Sequence, residues 1–187
     1  MLRLMAVFLL VVSVPGAAWA GSLALNFNNE SAQFRYQQLL NREAYSESEA
    51  GLRLLYNEDT ETWLATVGAA VKGSPGNLPG LKTGVEIAVN GSDTRPKEML
   101  AIGIGLRIDY APPVLHGLGM TAAVQFAPKV FSFLDAERYL ETSVGLAYAF
   151  MPQADLTLDY QNILVDFENA GEVRVDDSLR IGVKLRF

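Results

Sequence analysis

His116 is the only histidine in the chain, so it is the only candidate for an ordinary imidazole base. It lies between Pro112-Pro113 and Gly117, residues that build turns. A Ser-His-acid hydrolase would have to present a serine to it. The nearest serine in sequence is Ser132, and no G-x-S-x-G occurs. The absence of cysteine removes thiolate nucleophiles, thiolate metal sites and disulfides. Glu58-Asp59 and Asp176-Asp177 are adjacent pairs, which on a strand point to opposite faces. Gly103-x-Gly105 opens no helix and so makes no dinucleotide loop, and no stretch has the spacing of an EF-hand. Asp155, Asp159 and Glu141 are a potential two-carboxylate acid–base set. Pairing with Arg107, Arg180 and Lys184 is the simpler use, since buried charges need partners. The residues therefore predict a structural or pore-lining charge network, with no enzyme activity, no cofactor and no metal.

What must position these charges is a chain of 187 residues with 21 acids against 15 bases. One domain is expected. The net charge of −6 argues against a phosphate-tracking nucleic-acid binder. Met1–Arg3 forms a short positive start, Leu4–Val14 an apolar run, and Ala18-Trp19-Ala20 an A-x-A cleavage site after Pro15-Gly16. This reads as a secretory signal peptide over 1–20, leaving a mature domain over 21–187. The apolar run is shorter than the roughly 20 residues a helical span needs.

The mature chain alternates with a period of two. Leu100, Ile102, Ile104, Leu106, Ile108 and Tyr110 are separated by Ala101, Gly103, Gly105, Arg107 and Asp109, the pattern of a strand. The stretches 140–150 and 178–187 behave alike, and further strands are expected at 22–28, 31–40, 49–57, 62–72, 81–90, 118–127 and 154–162. That makes ten, or eight if the first two are discounted. Turn chemistry separates them, as in Gly73-Ser74-Pro75-Gly76 and Met151-Pro152-Gln153. Regular strands without a helical period indicate an all-β sandwich or barrel.

On the apolar phase of these strands only Gln38, Thr83 and Thr142 are polar, and none is charged. The opposite phase carries Arg35, Glu49, Arg53, Lys72, Lys82, Glu86, Arg107, Asp109, Glu141, Asp155, Asp159, Arg180, Lys184 and Arg186, interleaved with glycine and alanine. A soluble sandwich would turn the apolar face inward; a transmembrane barrel would turn it to lipid. Small residues beside Arg and Glu suit the crowded lumen of a narrow barrel. Tyr56, Trp63, Tyr110, Phe126, Phe150, Tyr160 and Phe187 lie near strand ends, as interfacial girdles do. The expectation is an antiparallel transmembrane β-barrel whose lumen holds Arg53, Glu86, Arg107, Asp109, Glu141, Asp155, Asp159, Arg180 and Lys184. Chain end Phe187, apolar and in mid-strand, resembles the C-terminal assembly signal of outer-membrane barrels.

An even strand number puts both termini in the periplasm. Outer loops then fall near 29–30, 58–61, 91–97, 128–137 and 163–177. They carry Glu30, Glu58, Asp59, Glu61, Asp93, Asp135, Glu137, Asp166, Glu168, Glu172, Asp176 and Asp177 against Arg95, Lys97, Lys129 and Arg174. This acidic mouth reads as solvated loops, or more sharply as a divalent-cation site against anionic lipid.

Ser22-Leu23-Ala24-Leu25-Asn26-Phe27-Asn28-Asn29, then Ser31-Ala32-Gln33-Phe34, the Leu54–Asp59 stretch and the barrel-like tail resemble the YfaZ family of small exported Gram-negative proteins. The resemblance implies a porin-like barrel in the outer membrane, exported by the Sec route, whose partners are lipids, lipopolysaccharide and the barrel-assembly machinery. It brings no catalytic residues. A plugged structural or binding barrel, a narrow channel for small solutes or ions, a lipid-modifying enzyme and a soluble periplasmic carrier remain the functional alternatives. Narrow barrels fill with their own side chains, which disfavours an open pore.

Overall fold

The computed structural model describes residues 20–94, 97–168 and 171–187. The expected signal peptide before Ala20, and Arg95, lie outside the described residues. The strands are β1 Gly21–Phe27, β2 Ser31–Arg42, β3 Ser46–Asn57, β4 Thr62–Gly73, β5 Leu81–Thr94, β6 Lys97–Tyr110, β7 Leu118–Ala127, β8 Ser132–Leu134, β9 Ala136–Met151, β10 Ala154–Phe167 and β11 Gly171–Arg186. Every long strand pairs antiparallel with its chain neighbour. β8 is a three-residue strip that continues β7 along β6, pairing Ser132–Leu134 with Met99–Ala101. β1 meets β11, from Ser22 opposite Arg186 to Phe27 opposite Ile181. Ten long strands thus close into a barrel and leave no sheet edge along the wall. Eight strands is excluded, because both disputed N-terminal strands are paired on each side.

Tight turns follow from their side chains. At the β1–β2 turn the Asn28 side-chain carbonyl accepts hydrogen bonds from the Glu30 and Ser31 backbone N–H groups, at 3.0 and 2.6 Å. The longer β4–β5 connection needs Gly80 at φ 87°, where a side chain would also collide with the Ala111 carbonyl.

The apolar phase faces outward: Val67, Ile87, Ile104, Leu106, Val144 and Ile181 are all exposed at mid-strand. An apolar band that circles a closed barrel is a lipid-facing surface, since a water-facing one would be covered or broken by charge. The small residues of the other phase are inside, packed as expected. A β-carbon at Gly68 would stand 2.8 Å from that of Ala88, and one at Gly103 2.7 Å from Gln125 Cγ.

Two corrections follow. The segment 163–177 is not a loop. β10 and β11 continue as a long hairpin to Phe167 and Gly171, with a bulge at Ile163/Leu164, and β5 and β6 likewise run on to Thr94 and Lys97. Asp176 continues the inward phase of Ser178 and Arg180, and the bulge sends Val175 inward beside it, so Asp176 leaves the expected acidic mouth. Second, the inward phase is not only small and charged. At the end opposite the termini it carries Leu55, Leu64, Met99, Tyr139, Ile163, Val165, Phe167 and Val175, which form one buried apolar cluster. The hydrophobic core of this protein sits inside the barrel, at one end.

Candidate functional site

The lumen beneath that apolar cluster is where the charges gather. Glu141 of β9 is gripped from three sides. Both terminal nitrogens of Arg53 (β3) donate to it, the second at 2.8 Å. Gln161 Nε2 of β10 donates at 2.8 Å, and the Tyr139 hydroxyl donates from two residues away. Arg53 also donates to Thr66 Oγ1 at 2.9 Å, Thr66 to Asn90 Oδ1 at 2.8 Å, and Asn90 to Gln125 Oε1 at 3.1 Å. A second centre is Arg180 of β11, which is 1% exposed. It donates to Asp176 at 2.6 Å, Ser31 Oγ at 2.7 Å and Gln161 Oε1 at 3.3 Å. Asn57 and Ser178 also donate to Asp176 Oδ1, each at 2.9 Å, whereas the buried Oδ2 has no partner. One hydrogen-bonded web therefore crosses the lumen and ties β2, β3, β4, β5, β7, β9, β10 and β11 together.

Toward the termini the charges pair again. Lys72 bridges Glu49 at 2.9 Å and Asp109 at 3.0 Å, and Asp109 also holds Arg107 at 3.1 Å. Asp155 pairs with Arg186 at 2.7 Å, and Lys82 with Glu47 at 2.8 Å. Between web and rim lies a cavity of about 120 Å³, lined by Arg35, Glu49, Arg53, Glu86, Arg107, Thr121, Glu141 and Asp159 among others.

Each lumen charge expected from the sequence faces inward, but the set Asp155, Asp159 and Glu141 does not pair with the set Arg107, Arg180 and Lys184: Glu141 takes Arg53, Asp155 takes Arg186, and Arg180 takes Asp176. Asp159 accepts from Asn26 Nδ2 at 2.6 Å. The reason is height: Asp176, Ser178 and Arg180 alternate on one face of β11, so Asp176 stands inward beside Arg180, and the bulge above them turns Val175 inward as well. Sequence reasoning missed the amides of the web, Asn57, Asn90, Gln125 and Gln161, and Asn26 beside Asp159. The signal was available, because Asn is depleted in strands and these residues recur on the inward phase.

His116 ends the short turn after Pro113–Leu115 in the left-handed region, at φ 44°. At the outer end Lys129 pairs with Glu137, which raises the ammonium pKa. Among the described residues no three acidic or histidine side chains converge on a metal-sized site.

The family model described as YfaZ precursor matches residues 3–187, almost the whole chain. The chain belongs to the YfaZ family. The structure is also similar to solved barrels at low identity. A KdgM porin in complex with disordered oligogalacturonate is 10% identical, with 90% of this chain and 99% of that one covered at a TM-score of 0.46. OmpT of Vibrio cholerae is 13% identical, with 84% and 56% covered at 0.44. The translocator domain of the autotransporter NalP from Neisseria meningitidis is 10% identical, with 99% and 94% covered at 0.39. No curated protein matches the chain.

Proposed function

We propose that this YfaZ-family chain is an outer-membrane barrel, exported by the Sec route, that serves as a binding and structural element of the envelope and not as a diffusion pore or an enzyme. The carrying observation is the double closure of the lumen: the Arg53–Glu141 and Arg180–Asp176 web, capped by the Leu55–Tyr139–Val165 apolar cluster. Hydrated ions would have to cross both layers. The termini end is periplasmic in this reading, so the charged cavity is reached from the periplasm. Phe187 is then the assembly signal read by the barrel-assembly machinery, and the acidic outer turns face lipopolysaccharide and its divalent cations.

Single-channel recording in planar bilayers tests the closure. Purified barrel that shifts on gels between unboiled and boiled samples is expected to give no conductance steps. Regular steps from the unmodified protein would replace this reading by the narrow channel.

A further inference from the structure

Most charged side chains of the cavity wall are committed. Glu49 is held by Lys72, Arg107 by Asp109, Arg53 and Glu141 by each other, and Asp159 accepts from Asn26. Two are not. Among the described residues, the side chains of Arg35 of β2 and Glu86 of β5 make neither a hydrogen bond nor an ion pair, and both line the cavity. They carry opposite charge and do not pair with each other.

The wall keeps both heads open. Glu86 is flanked across the sheet by Ala70 and Gly105, and a β-carbon at Gly105 would stand 2.7 Å from Glu86 Cγ and 2.9 Å from its Oε1. Arg35 is flanked by Ala24 on one side and Arg53 on the other. Arg53 turns both terminal nitrogens to Glu141 and Thr66, while its Nε has no partner. Like charges directly opposite on neighbouring strands are unfavourable, and an anionic group at Arg35 relieves that repulsion.

A purely anionic occupant would meet Glu86 and Asp159, and a purely cationic one would meet Arg35 and Arg107. A molecule with both charges satisfies each. We infer that the cavity binds a small zwitterion, its anionic end on Arg35 and its cationic end on Glu86. This rests on the binding reading above. At 10–15 Å³ for one water, the cavity holds on the order of ten waters, which suits a linear molecule of about a dozen non-hydrogen atoms or fewer.

The test is calorimetric titration of the folded barrel in detergent at low salt with 6-aminohexanoate, hexanoate and hexylammonium, with β-alanine and 4-aminobutyrate setting the span. One of the zwitterions is expected to bind about tenfold or more tighter than either single-charge control, since charge-assisted hydrogen bonds are the strong ones. Arg35→Gln and Glu86→Gln should each remove that preference while retaining the gel shift. Equal binding of hexanoate or hexylammonium, variants that bind like the parent, or no binding by any of the three zwitterions overturns the inference. Conductance on the same preparation separates the two readings. A silent barrel that ignores zwitterions keeps the closure and loses the ligand, and a conducting barrel that binds them does the reverse.

Discussion

Ile104 and Gly105 are neighbours with opposite duties. Ile104 is 57% exposed on the lipid side, whereas Gly105 lies under Glu86. Ile104→Arg should cost about 2–4 kcal/mol if it lies at the bilayer midplane, and Gly105→Leu should fail to fold, because its β-carbon would stand 2.8 Å from the Val124 carbonyl oxygen as well as against Glu86. Urea titration of the barrel in lipid vesicles measures both. The Arg53–Glu141 pair gives a subtler prediction. Arg53→Met alone leaves a buried carboxylate without its cation, for a loss of about 3–5 kcal/mol, while Arg53→Met with Glu141→Leu should cost less than either single change. A double-mutant cycle in the same titration reads the difference. Which charges of the expected strands face inward was legible from the alternation. Which of them touch was not, because partner choice depends on strand stagger, and Asp176 reaches Arg180 only because β11 continues as a strand where a loop was expected.

Among the elements, the seam between β1 and β11 is the most exacting. A β-carbon at Gly182 would overlap the Leu25 carbonyl on the partner strand, so Gly182→Val should abolish the unboiled gel shift. Gly171, at φ 70° with open space around it, offers the contrast: Gly171→Ala should fold, at a cost of about 1–2 kcal/mol for the left-handed backbone. Strand existence was readable because hydrophobic alternation persists wherever one face meets lipid. It fails beyond that band. At Ile163, Val165, Phe167 and Val175 the apolar residues switch to the inward phase, and from sequence alone the β10–β11 hairpin above the bulge looked like a loop. The same switch is the plug, so the part of the fold that was hardest to read is the part that closes the lumen.

At the scale of the whole molecule, one end of the lumen is filled by apolar side chains and the other is charged and paired. Replacing Leu55, Leu64 and Val165 together by serine should let water into the cap and produce conductance steps that the parent lacks, measured in planar bilayers. The outward belt and inward charge were evident from phase counting, but an inverted soluble barrel would give the same count until closure and exposure were seen together. The seam also sets an order in time. Gly21 and Phe187 exchange backbone hydrogen bonds at 2.8 and 3.0 Å, so the first strand to emerge waits for the last, and every other pairing can form before the ring shuts. Contacts between opposite ends of a chain are slow to make. Final closure should therefore be the late kinetic phase of folding, and the interval before it is when both unpaired edges are open to capture by an assembly partner.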